Sequence, residues 1–79
     1  MNTIGWAVKE AHNGKRVARS GWNGKGMFVF YINNWSYDVN GRPSPPTLPF
    51  LAMKTVQGAV VPWLCSQTDI LATDWEIVA

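Results

Sequence analysis

One histidine, one cysteine and five carboxylates are the groups from which any catalytic set in this chain must be drawn. Catalysis needs such groups within mutual reach. Cys65 sits just ahead of a predicted helix start, a position that lowers a thiol pKa. His12 falls late in a different helix, so the two do not make a Cys–His pair. Asp69 and Asp74 are the other conceivable acid–base couple, but a helix first turn and a strand start already account for them. The chain carries no phosphate-loop, dinucleotide or zinc signature. A single cysteine also excludes an intrachain disulfide and a cysteine-based metal site. The expectation is a protein that is not an enzyme and that needs no cofactor and no metal.

Binding chemistry is better represented. Trp22 stands in Gly21-Trp22-Asn23-Gly24-Lys25-Gly26, where flanking glycines allow a tight turn that projects the indole. An aromatic presented this way suits stacking on a nucleobase, worth about 1–3 kcal/mol; plugging the edge of the core is the other reading, and the sequence leaves both open. Gln57 adds a polar group with two hydrogen-bonding atoms on a turn that does not require one. Ser66 opens a second helix whose first-turn Asp69 would repel a phosphate. Asp69 is therefore expected to accept from ligand hydroxyls or an amino group, with phosphate nearer Lys25 or Arg19.

The elements that must hold these groups follow from periodicity and turn residues. Thr3 caps a first helix and Gly14 ends it. Ile4, Ala7, Val8 and Ala11 form its apolar stripe, with Trp6 on the opposite side as a candidate subunit contact unless neighbouring side-chain stems cover it. Short strands are predicted over 16–20, 27–32, 50–55, 59–63 and 74–78, with a tight turn at Gln57-Gly58. Ser66 caps the second helix, and Asp69 completes a capping-box-like pattern. Residues 33–49, rich in proline, are either an ordered loop or a hairpin arm turning at Asn40-Gly41. The whole, residues 1–79, reads as one small α+β domain with a largely antiparallel sheet, an N-terminal helix and a short second helix.

The strand over 27–32 is apolar on both faces: Met27, Val29 and Tyr31 alternate with Phe28, Phe30 and Ile32. One short helix covers one sheet face, so a sister subunit is expected over the other. Composition agrees. Hydrophobic residues make up 47% and charged residues only 15%, with five tryptophans in 79 residues. An unusually aromatic monomeric core is the alternative. The net charge of +2 is mild for a nucleic-acid binder, although Lys9, Lys15, Arg16, Arg19 and Lys25 cluster early and would favour a small anionic ligand. The start of the chain does not pair basic residues with an apolar stretch, and the longest apolar run is too short to span a bilayer. A cytoplasmic location away from membranes is the expectation.

Several linked motifs then carry a resemblance: Gly21-Trp22-Asn23-Gly24-Lys25-Gly26-Met27, Ala52-Met53-Lys54-Thr55, Val61-Pro62-Trp63-Leu64, Ser66-Gln67-Thr68-Asp69 and Asp74-Trp75-Glu76. Together they resemble the Thoeris anti-defence protein two family of small phage and prophage proteins, over nearly the whole chain except the 33–49 arm. The resemblance implies a cytoplasmic homotetramer in the infected or lysogenic host. Such a protein sequesters, without cleaving it, a glycocyclic ADP-ribose signal made by a bacterial TIR-domain defence enzyme. Some members also hold cyclic dinucleotides at separate sites. The family's pocket lies between subunits, and its lining falls here on Trp22, Asn23, Gln57 and Asp69, with Ser66 and Gln67 beside them. Gln57 departs from the Asn or Asp expected in relatives, which bears on ligand preference. The rival reading is a small nucleic-acid- or protein-binding module of phage origin that uses the basic 15–25 segment; steeply salt-dependent binding to DNA or RNA would mark it.

Overall fold

A computed structural model describes residues 1–22, 25–36 and 38–78. Helix α1 spans Ile4–His12. It starts where Thr3 Oγ1 accepts from the Trp6 backbone N–H at 3.4 Å. Gly14, at φ +92°, stops it: the N–H of Gly14 bonds the Ala11 carbonyl at 2.9 Å and the N–H of Lys15 bonds that of Glu10 at 3.0 Å. That pair of bonds is a Schellman ending, and its left-handed residue favours glycine.

Five strands form one antiparallel sheet: β1 (Arg16–Arg19), β2 (Phe28–Ile32), β5 (Phe50–Lys54), β6 (Val60–Pro62) and β7 (Trp75–Val78), ordered β6-β5-β2-β1-β7. The expected largely antiparallel α+β architecture with two helices is present. The irregular stretch resolves as a hairpin arm, β3 (Asp38–Val39) against β4 (Arg42–Pro43). Its turn residues Asn40 and Gly41 both have positive φ, 52° and 77°, as a twisted two-residue hairpin turn demands. The Trp35 N–H donates to Thr47 Oγ1 at 2.8 Å and closes the base of the arm.

Register decides which side chains meet. Val17 pairs with Val29 and with Ile77, Val29 with Met53, and Arg19 with Trp75. These residues share one face, and α1 packs there against β7, β1 and β2. The core is Ala7, Ala11, Val17, Val29 and Trp75, all at most 2% exposed. Small residues on the buried side of α1 let the helix backbone approach the sheet. Ala11→Leu is therefore expected to cost about 1–3 kcal/mol by overpacking; denaturant unfolding checks it, and an unchanged midpoint would mean the helix has room to lift.

Two expectations about the helix change. Val8, placed in the apolar stripe, is 42% exposed. Trp6, placed opposite that stripe, is half-buried and packs against the core. A tryptophan follows its ring rather than its Cα direction, because the indole is long enough to turn around the flank of the helix.

The second helix, α2 (Gln67–Leu71), touches α1, and its Asp69 carbonyl accepts from Trp75 Nε1 at 3.2 Å. Among the described residues, no helix lies on the other sheet face. That face carries Phe28, Phe30, Ile32, Phe50 and Val60, with Arg16 and Lys54 each set over the Phe28 ring, 5.1 and 5.5 Å from its centroid. The base of the arm covers part of it, leaving an apolar groove of about 240 Å³ lined by Trp35, Thr47, Phe50, Val60, Val61 and Pro62.

Candidate functional site

The strands run so that the ends of β1 and β5 and the starts of β2, β6 and β7 lie at one end of the sheet. This end gathers the Gly-Trp turn, the β5–β6 hairpin turn and the α2–β7 junction. Trp22, Gln57 and Asp69 therefore lie at the same end although they are scattered in sequence.

At its centre is a cluster built on Arg19. The guanidinium donates through Nε to Asp74 Oδ1 and through Nη1 to Asp69 Oδ1, each at 2.8 Å. The same Asp69 oxygen accepts from Trp22 Nε1 at 3.1 Å. Asp74 Oδ2 accepts the Gly21 backbone N–H at 2.8 Å and the Ser20 hydroxyl at 3.4 Å. A Cβ on Gly21 would stand 2.8 Å from that carboxylate oxygen, so the close approach requires glycine. Trp22 then meets Trp75 edge-on at 5.4 Å, and Trp63 meets Trp75 likewise at 5.7 Å. Such geometry suits the ring quadrupoles. Three tryptophans with Asp69 beneath them form one connected unit.

Trp22 is thus half-buried, and its ring serves the edge of the core while also lining a recess of about 270 Å³. Arg19, Lys25, Met27 and Glu76 are among the other walls of that recess. Lys25 is exposed and lines the recess, adding a positive charge there.

Asp69 does more than the capping pattern suggested. Ser66 Oγ accepts the Asp69 backbone N–H at 3.2 Å, as an N-cap should. The Asp69 carboxylate, however, is drawn to Arg19 and Trp22 instead of completing a local box, because a charge-assisted bond to guanidinium outweighs a neutral backbone donor. Gln57 lies exposed on its turn at the same end of the sheet, yet within one chain no hydrogen bond joins it to Trp22 or Asp69. Lys54 Nζ, at the end of β5, donates to the Gly26 carbonyl at 3.0 Å and so ties that hairpin to Gly26. Ser66 and Gln67 are exposed at the α2 start. Asn23 lies outside the described residues. Sequence reasoning missed the structural parts of Arg19, Trp63, Trp75 and Asp74; the contact is set by the strand register that pairs Arg19 with Trp75, next to Asp74, for which the sequence carries no signal.

The electrostatics follow from the cluster. Burial alone would raise the pKa of Asp69, but hydrogen bonds from Arg19, Trp22 and Ser66 outweigh it and hold the group below the ordinary carboxylate range. The Arg19 hydrogen bond lowers Asp74 too, with the Gly21 N–H adding to it against a smaller effect of burial. Arg19 is raised by its bonds to Asp74 and then Asp69, so it stays charged. Burial and then the nearby Asp69 charge push the Cys65 thiol up, away from nucleophilic use. Carboxylates depressed in the folded state contribute stability above their unfolded pKa of about 3.9, and lose it as pH falls through the folded values. Thermal melts from about pH 7 down to about pH 2.5 are expected to stay level until roughly pH 4 and then fall, with a shallower fall in Asp74→Asn. An identical acid profile in that variant would show that the Arg19–Asp74 bond contributes nothing.

Among the described residues, no group of three or more His, Cys, Asp or Glu side chains is placed to hold a metal ion. Comparison with known proteins gives the lineage. The family described as the Thoeris anti-defense 2-like domain matches residues 2–78. The protein Thoeris anti-defense 2 of Bacillus phage SP01 is 33% identical over 84 aligned residues, spanning 98% of this chain and 94% of that protein. On that match, which runs almost from end to end, the chain belongs to the Thoeris anti-defense 2-like family.

Proposed function

We propose that this protein is a phage anti-defence sponge. It binds and sequesters a cyclic ADP-ribose-type immune signal, glycocyclic ADP-ribose, without cleaving it, and so keeps the Thoeris effector silent. Family membership supports the anti-defence role and an interaction with an immune signal. The observation that carries the binding reading is Trp22, held by its own Nε1 at the wall of a recess that also includes Arg19 and Lys25. An indole face offers a purine something to stack on, and the exposed lysine offers a phosphate a counter-charge.

The recess in one chain, about 270 Å³, is smaller than most small-molecule sites, which run from roughly 300 to 1,000 Å³. A second copy completing it agrees with the uncovered apolar sheet face. The working form proposed, on the family resemblance, is a homotetramer with its pocket at a junction, acting in the cytoplasm of the infected or lysogenic host. Cyclic dinucleotides are secondary candidates for separate sites.

Sequestration and cleavage are separated by one experiment. Purified protein is incubated with glycocyclic ADP-ribose, the protein is then heat-denatured, and the released material is applied to the Thoeris effector. Intact, activating signal is expected after heating and none before. Recovery of a degraded, inactive product would replace the sponge with an enzyme, and activity in the supernatant before heating would show that nothing was bound.

A further inference from the structure

Arg19 stands at the wall of a recess proposed for an anion, yet its guanidinium is turned into its own protein. Nε reaches Asp74 and Nη1 reaches Asp69, both at 2.8 Å, and its side chain is only 21% exposed. We propose that Arg19 is the positioning residue of the Trp22 site: by forking between Asp74 and Asp69 it sets the indole before any ligand arrives. This rests on the reading of Trp22 as the ligand-stacking group.

Two connections make the fork more than an isolated ion pair. Asp69 Oδ1 carries both the Arg19 bond and the Trp22 Nε1 bond, so moving Asp69 moves the acceptor of the indole. Asp74 Oδ2 holds the Gly21 N–H, directly before Trp22. Through the fork Arg19 thus fixes the residue preceding the indole and the partner of the ring, while the Trp22 backbone N–H bonds the residue-19 main-chain carbonyl at 3.2 Å whatever side chain stands there. Its charge also offsets one of two carboxylates that would otherwise repel an anionic ligand.

A lysine at position 19 keeps the charge but is a point donor, and it does not reproduce a planar fork that spans two carboxylates. Arg19→Lys therefore separates positioning from charge, and Arg19→Met removes both. The ligand-free readout is the Trp22 indole N–H resonance in a proton–nitrogen spectrum, assigned by its loss in Trp22→Phe. The bound readout is calorimetric affinity for glycocyclic ADP-ribose, with sedimentation as a check on assembly. In both Arg19 variants the Trp22 resonance is expected to lose its hydrogen-bonded shift and exchange faster with water. Affinity is expected to fall about tenfold or more in both. Arg19→Lys added to Trp22→Phe is expected to do little further harm, because both act through the same link.

Wild-type affinity in Arg19→Lys alongside a loss in Arg19→Met would overturn positioning in favour of charge alone. An unmoved Trp22 resonance in Arg19→Lys would overturn it outright, as would losses that add in the double variant. If Arg19→Met does not fold, Arg19→Lys and the double variant still decide. If the unmodified protein fails to bind the nucleotide, the sponge reading fails by itself, while the resonance still reports whether Arg19 sets the indole.

Discussion

Replacing Trp75 with alanine is expected to remove most of the stability of this chain. Trp75 is the largest fully buried side chain, and it touches both Trp22 and Trp63 edge-on. Truncating a buried aromatic costs about 3–5 kcal/mol, from lost transfer energy plus the cavity left behind. A domain of this size holds a total of only about 5–10 kcal/mol. Trp75→Ala is therefore expected to melt far below the unmodified protein, or to populate unfolded chain at ambient temperature, as circular dichroism and urea titration would show. Trp75→Phe separates the terms: it keeps most of the ring volume but loses the Nε1 bond to the Asp69 carbonyl. An intermediate loss is expected there. If Trp75→Ala melted within a few degrees of the unmodified protein, the core would lie elsewhere than the junction of α1, β1 and β7.

That core was only partly legible in the sequence. Helix α1 was readable because its signals are local: a threonine cap, a glycine stop and apolar residues at helical spacing. The hairpin turn at Gln57-Gly58 was readable for the same reason, while Asn40-Gly41 marked a turn without deciding between arm and loop; positive φ at Gly58, Asn40 and Gly41 suits these residue types. What long-range contacts decide was not readable. Arg19 lies 50 residues from Asp69 and 55 from Asp74, and no local pattern joins them. Ser66 with Asp69 three positions later is a local capping signature, and it hid the fact that the carboxylate serves a distant arginine and indole. Trp22 posed a choice between stacking on a ligand and plugging the core edge. The structure joins the two, for its ring packs on Trp75 and also lines the recess.

The joined role has a thermodynamic consequence. A side chain that is already ordered before binding has little rotamer freedom left to lose, and such preorganisation raises affinity without any new contact. The tie from Trp22 Nε1 to Asp69, which is itself held by Arg19 and by the Ser66 cap, does this for the indole. The cap acts chiefly on the backbone N–H of Asp69, where Ser66 Oγ accepts, and the clamp on its carboxylate, where Arg19 is the largest hydrogen-bonding influence. Losing Ser66 should therefore loosen α2 before it loosens the indole, whereas losing Arg19 should do the reverse.

Trp22→Ala is expected to weaken binding of glycocyclic ADP-ribose by about tenfold or more, since base–aromatic stacking contributes about 1–3 kcal/mol. Because the ring also packs on Trp75, some thermal stability goes with it, and the affinity has to be measured well below the melting point of the variant. Trp22→Phe resolves the ambiguity. Phenylalanine retains a stacking face and an edge-on contact with Trp75 but has no N–H for Asp69, so its affinity should lie between those of the unmodified protein and the alanine variant. Assembly is to be checked by sedimentation in all three, because Phe28 of the uncovered apolar face directly follows Met27, which lines the same recess as Trp22, and a loss of assembly has to be told apart from a loss of stacking. Calorimetry giving equal affinities for the alanine variant and the unmodified protein would remove Trp22 from the pocket and leave it as a core-edge residue alone. Equal affinities for the phenylalanine variant and the unmodified protein, with a loss only in alanine, would keep the stacking face and discard the contribution of the Asp69 tether.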